Sequence, residues 1–170
     1  GEMGRHREQA LALERAFAEA AHVVRVELTN QRLVVASLEP RTATASYDAE
    51  SKRFTLRCGS QAVAAVRGQV AGSLNIKPEE LRVVTDDLGG AFGMKLSTYP
   101  DEMAVAALST LLKRPVKFIA DRLEAFVSDV HAREATVKGR LAVDAQGKLL
   151  AMEVAVRSGF GAYSTYPRGC

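Results

Sequence analysis

At 170 residues, with 47% apolar and 25% charged side chains, the chain has the length and composition of one globular domain able to bury a core without metal or disulfide staples. A net charge of +3 would admit a nucleic-acid partner, but Lys and Arg are scattered among acids and no aromatic platform accompanies them, so none is expected. Cys58 and Cys170, with no Cys-x-x-Cys, cannot hold an iron–sulfur cluster or structural zinc by themselves, and no segment reaches the roughly 20 apolar residues of a membrane span, so a cytoplasmic protein with no membrane partner is expected.

From Glu8 to Ala21 the chain is rich in Ala, Leu, Glu, Arg and Gln, with Leu13, Phe17 and Ala20 on one face, which predicts a helix. His22 to Leu28 alternates Val24, Val26 and Leu28 against Arg25, Glu27 and Thr29, the period of a half-buried strand. Thr42 to Tyr47 and Arg53 to Cys58 alternate likewise about the polar turn Asp48-Ala49-Glu50-Ser51, a hairpin. Ser60 then stands as an N-cap for a helix presenting Val63, Val66, Val70 and Leu74 on one side. Pro78-Glu79-Glu80 breaks the pattern and Leu81 to Thr85 reads as a strand.

A second amphipathic helix opens at Pro100, with Asp101 and Glu102 in the first turn where the helix dipole favours negative charge, and it stops at Lys113-Arg114-Pro115. Val116 to Ala120 is a short buried strand, and Ala135 to Val143 and Leu149 to Arg157 flank the hairpin turn Asp144 to Lys148. The order predicts an α+β fold, a mixed β-sheet with two helices packed on one face, and residues 1–170 as a single domain.

The chemistry-bearing stretch is Gly89-Gly90-Ala91-Phe92-Gly93-Met94-Lys95, between the strand at Leu81 and the helix at Pro100. Three glycines in five positions admit φ > 0 and let main-chain N–H groups converge on an oxygen-rich group, although the same residues would also make a plain strand-to-helix turn. A phosphate cradle for a nucleotide fits poorly, because the Gly-x-x-x-x-Gly-Lys-Ser/Thr spacing is missing and no acid is placed for a ribose. Gln61, where a strand gives way to a helix, is either a surface residue of the helix's first turn or a ligand-facing amide. His6, His22 and His131 have no metal-site spacing, Arg122 with Glu124 reads as an ion pair, Glu39 with Arg41 reads as structural, and Cys58 sits on the apolar side of its strand.

Glu39-Pro40-Arg41-Thr42-Ala43, Gly59-Ser60-Gln61, Gly89 to Lys95, Tyr99-Pro100-Asp101-Glu102, Arg114-Pro115-Val116-Lys117, Asp121-Arg122-Leu123-Glu124 and Gly161-Ala162-Tyr163 follow one another in an order and at separations that resemble the molybdopterin-binding large subunit of the molybdenum hydroxylases. That is the family of xanthine dehydrogenase, aldehyde oxidase and the carbon monoxide dehydrogenase large subunit. The resemblance runs from about Phe17 to the end and leaves residues 1–16 outside. It implies a molybdenum cofactor-binding domain whose cofactor, molybdenum with molybdopterin in its cytosine dinucleotide form, meets Gly89, Gly90, Ala91, Phe92 and Gly93. It places Gln61 and Phe92 near the metal, with Gln61 hydrogen-bonded to an oxygen ligand. Ala91 and Met94 stand where many members carry glycine, a departure that costs backbone freedom.

The resembling subunits are several times longer, and the start at Gly1 favours a piece of such a subunit over a small complete product. The resemblance further implies partners in the rest of the large subunit, an iron–sulfur subunit, a FAD subunit and a small-molecule substrate: an aldehyde, an N-heterocycle or carbon monoxide. The catalytic glutamate and the substrate-side loop of the family have no counterpart here, so the isolated chain is expected to be inactive and without cofactor. A non-catalytic binding or assembly module that retains the fold is the alternative.

Overall fold

Two sheets organise the molecule, seen in a computed structural model that describes residues 2–132 and 134–159. They belong to two compact units, where the sequence leads one to expect a single domain. Unit 1 takes the chain up to Leu33 and returns to it after residue 133; unit 2 takes Val34–Ala132. Gly161-Ala162-Tyr163 and Cys170 lie outside the described residues.

In unit 1, helix α1 (Glu2–Glu19) precedes an antiparallel sheet of β1 (His22–Asn30), β6 (Glu134–Val143) and β7 (Leu149–Gly159), with β6 in the centre. The β6–β7 turn closes where predicted: Asp144 Oδ1 accepts from the amides of Gln146 and Lys148 at 2.9 and 2.8 Å, and Gly147 takes φ 83°, a left-handed conformation suited to glycine. Phe17 of α1 is buried, and the Arg140 guanidinium lies over its ring at 4.1 Å while pairing with Glu14 and Glu153. Arg25, across from Arg140, shares that side of the sheet.

The opposite side departs from the half-buried expectation. Val24, Val26 and Leu28 pair with Leu141, Gly139 and Val137, which pair in turn with Met152, Val154 and Val156. Residues opposite one another in a ladder share a face, so these side chains form one apolar patch. It is solvent-exposed: Leu28 is 60% and Met152 63% accessible. Alternation set the side of each residue correctly; whether that side is covered depends on what packs against it.

Unit 2 is the mixed sheet with helices on one face that the pattern predicts. Its strands β2 (Thr42–Asp48), β3 (Arg53–Cys58), β4 (Leu81–Val84) and β5 (Val116–Ile119) lie in the order β4-β3-β2-β5, with β3 and β4 parallel and the other pairs antiparallel. Ala43, Ala45, Phe54, Leu56 and Cys58 point inward against Val66, Val70 and Ala71 of α2 (Val63–Leu74) and Val105 and Ala106 of α3 (Pro100–Leu111). Each fully buried Leu or Val there contributes about 1.5–3 kcal/mol, and the outward Arg53, Thr55 and Arg57 keep the other face polar. A fourth helix, α4 (Arg122–Ser128), was not predicted. Its signal was present: Asp121 Oδ1 accepts from the amide of Glu124 at 2.7 Å, the Asp-x-x-Glu start of a helix.

Candidate functional site

The glycine loop leaves β4, crosses an irregular stretch and closes in a 3₁₀ turn at Met94–Leu96 before α3. Its backbone needs the glycines at two places. Gly90 and Gly93 have φ 101° and 90°, and a Cβ on Gly90 would sit 3.1 Å from the Phe92 ring and 3.2 Å from Ser37 Cβ. Ala91 and Met94 are buried and neither has positive φ, so the two departures from glycine cost no backbone freedom here. Phe92 does bear strain. It holds φ 50° as a non-glycine residue, and its ring is 80% exposed, so packing does not explain the conformation.

Gln61 lies before the first turn of α2, not inside it, because α2 begins at Val63 and Ser60 does not cap it. The Ser60 hydroxyl instead accepts from the Ala62 amide at 2.9 Å, a local turn that ends β3 and turns the chain outward. Gln61 is exposed, its amide N–H donates to the Lys95 carbonyl at 2.9 Å, and its side-chain oxygen accepts from the Gly93 amide at 3.0 Å. An N–H facing this side chain requires the oxygen there, so Nε2 carries two donors that bond no group among the described residues. At the other end of the loop the Gly89 amide donates to Glu39 Oε2 at 2.7 Å, and the Glu39 amide returns a bond to the Gly89 carbonyl at 3.0 Å. Between these anchors the amides of Gly90, Ala91 and Phe92 donate to no group among the described residues.

Three basic side chains that sequence reasoning treated lightly hold this region. Lys95, whose side chain is 1% exposed, donates to Glu39 Oε2 at 2.9 Å, and that bond holds the Glu39 carboxyl below the usual carboxylate range. Arg122 donates to the carbonyls of Ser37 and Leu38 at 2.6 and 3.0 Å. Arg41, also buried, pairs with Asp101 and with Asp129 (2.6 Å), bonds Ser128 Oγ at 2.8 Å and stacks 3.8 Å above the Tyr99 ring. Glu39 therefore pairs with Lys95 and not with Arg41, and Arg122 spends its guanidinium on carbonyls and not on Glu124. These partners are remote in sequence, and charge spacing along the chain carries no trace of them.

Asp101 keeps its first-turn place in α3, but Glu102 is buried and accepts from the Tyr99 amide at 2.8 Å. Burial pushes its carboxyl up to about 7, with the neighbouring Asp101 charge adding to the effect. Cys58 is buried as expected, its thiol pushed up to about 12 by desolvation, which keeps it from acting as a thiolate. Among the described residues no three His, Cys, Asp or Glu side chains gather as a metal site. The open groove of about 400 Å³ in unit 1 is lined by two ion pairs, Arg140 with Glu153 and Lys138 with Glu27, together with Arg25.

Comparison with known proteins bears on this arrangement. The family model for the molybdopterin cofactor-binding domain matches residues 4–170. The chain is 35% identical over 152 residues to the 6-hydroxypseudooxynicotine dehydrogenase complex subunit gamma of Paenarthrobacter nicotinovorans, covering 89% of this chain and 19% of that one. It is 33% identical to the carbon monoxide dehydrogenase large chain of Hydrogenophaga pseudoflava, with the same coverage. Among solved structures, quinoline 2-oxidoreductase from Pseudomonas putida 86 superposes with a TM-score of 0.78 at 35% identity, over 85% of this chain and 18% of that one. The chain thus spans about a fifth of the length of these relatives. A family match across nearly all of its residues, on a fold shared with those enzymes, makes the chain a member of the molybdopterin cofactor-binding domain family found in the large subunits of molybdenum hydroxylases.

Proposed function

We propose that Gln61 and the loop from Gly89 to Gly93 form one wall of the molybdenum cofactor site of a hydroxylase large subunit. The observation that carries this is the Gln61 side chain, fixed through its oxygen by the Gly93 amide so that Nε2 is left as a donor at the end of the glycine loop. The donor set suits the cofactor. The amides of Gly90, Ala91 and Phe92, which donate to no group among the described residues, and the Gln61 NH₂ are neutral donors of the kind an anionic, oxygen-rich group takes, and the Glu39 carboxylate at Gly89 is paired with Lys95. When bound, the molybdenum centre supplies oxygen-atom insertion and takes up the two electrons of the oxidation. The residues of this chain would hold and orient it: the amides of Gly90, Ala91 and Phe92 would donate to its oxygens, and Gln61 Nε2 would donate to an oxygen at the metal. Phe92, exposed and held at positive φ, shapes the apolar border of the same wall.

The rest of the large subunit would complete the enclosure. The exposed apolar patch on β1, β6 and β7 supports such a neighbour, since apolar surface of that extent is unusual on a free-standing domain. Iron–sulfur and FAD subunits as electron acceptors, the cytosine dinucleotide form of the pterin, and a cytoplasmic location rest on the family resemblance. The substrate, whether aldehyde, N-heterocycle or carbon monoxide, is selected by residues other than these.

The test is Gln61→Ala in the full-length subunit, with molybdenum content and turnover measured together. Losing one preorganised donor at a developing charge lowers turnover on the order of 10²-fold. Turnover at the wild-type rate with full metal content would remove Gln61 from the reaction.

A further inference from the structure

We propose that the ion pair between buried Lys95 and half-buried Glu39 is the positioning device of this wall, holding Gln61 and both ends of the glycine loop in one geometry; the inference rests on the site reading above. Lys95 acts through two groups. Its ammonium donates to Glu39 Oε2 at 2.9 Å, and the same oxygen accepts the Gly89 amide at 2.7 Å, which anchors the start of the loop. Its carbonyl accepts the Gln61 amide at 2.9 Å, and the Gln61 side chain returns to the Gly93 amide at 3.0 Å, which anchors the end. One residue therefore closes a ring in which hydrogen bonds join Glu39 to Gly89, Gly93 to Gln61, Gln61 to Lys95 and Lys95 back to Glu39, with the loop backbone from Gly89 to Gly93 as its covalent side.

Two glycines lie beside the ring. A Cβ on Gly59 would stand 3.4 Å from Lys95 Cδ, 3.5 Å from Nζ and 3.3 Å from Leu88 Cδ2, within or just inside ordinary contact. Gly59 thus borders the lysine stem, two residues before the glutamine whose amide the lysine carbonyl accepts. Gly89 is closer still: a Cβ there would meet Glu39 Cβ at 2.5 Å, so the approach of the Glu39 stem to the loop is possible only with glycine. A side chain 1% exposed, with its charge aimed at one carboxylate, fixes position far better than a surface lysine. The ring determines where Gln61 Nε2 points, and Lys95 does so without touching the ligand.

The experiment uses Lys95→Met, which keeps the stem and removes the charge, Glu39→Gln, which keeps an acceptor for Gly89, and the double variant. In this chain, the backbone amides of Gln61 and Gly93, both donors in the ring, are followed by NMR hydrogen exchange. Each single variant is expected to speed exchange at those groups about tenfold or more while β2, β3 and α3 amides hold their rates. In the full-length subunit, turnover is expected to fall about tenfold with KM and molybdenum content little changed, and the double variant to be no worse than the poorer single one. Faster exchange spread evenly over unit 2, unchanged exchange at Gln61 and Gly93, or additive losses in the double variant would overturn the proposal. If Lys95→Met fails to fold, Glu39→Gln decides alone by the same criteria. Normal turnover in Gln61→Ala would defeat the site reading instead, and the exchange data would still report on the ring.

Discussion

Replacing Glu102 with glutamine is expected to flatten the pH dependence of unit 2 stability. The carboxyl is buried at the start of α3, and its group titrates at about 7 instead of the usual 4.5, chiefly because burial penalises the charged form. Between those two values the folded chain retains a proton that the unfolded chain has released. Stability therefore falls as pH rises from 4.5 to about 7 and levels off above it. Over pH 5 to 8 the shift is worth on the order of 2–3 kcal/mol, at about 1.4 kcal/mol per pKa unit. Glutamine keeps an oxygen for the Tyr99 amide and cannot ionise, so it removes the slope whatever constant offset its extra N–H groups introduce. Glu39, Glu14 and Asp48 are shifted downward and act below this window, while Cys58 and Tyr99, both pushed up to about 12, act above it. Equilibrium urea unfolding at several pH values, with m-values compared between the proteins, measures the difference. Wild-type and variant profiles that run parallel from pH 5 to 8 would refute the reasoning, because Glu102 would then ionise as readily in the fold as outside it.

Phe92→Gly is expected to be more stable than Phe92→Ala by about 1 kcal/mol, since φ 50° strains any side chain bearing a Cβ and the exposed ring contributes little packing; denaturation midpoints of the two variants decide it. The same Phe92→Gly change in the full-length subunit is expected to lower activity, separating strain kept for the site from strain kept for the fold. The 170-residue chain by itself is expected to purify with far less than one molybdenum per chain, because one wall offers few of the contacts that enclose a bound cofactor. Metal analysis of the purified chain checks this, and stoichiometric molybdenum would contradict it.

Local pattern was enough to place most elements. Two-residue alternation put Phe54, Leu56 and Cys58 on one side of β3, and helical spacing put Val66 and Val70 on one side of α2, because both periods are properties of the backbone itself. Glycine content marked the loop at Gly89, since φ > 0 is a local demand, and the order of short motifs carried the family resemblance. Tertiary structure decided the rest. It left Val24, Val26 and Leu28 uncovered on a side that alternation alone reads as buried, because coverage is set by another layer and not by the strand. It moved Gln61 out of α2, buried Lys95 against Glu39 and turned Arg41 toward Asp101 and Asp129. Those partners lie 56, 60 and 88 residues apart along the chain, and charge attraction over that separation exists only once β2, the glycine loop and α3 have been brought together. The direction of the Gln61 amide is likewise written in no residue alone, since it follows from a hydrogen bond to Gly93, 32 positions away.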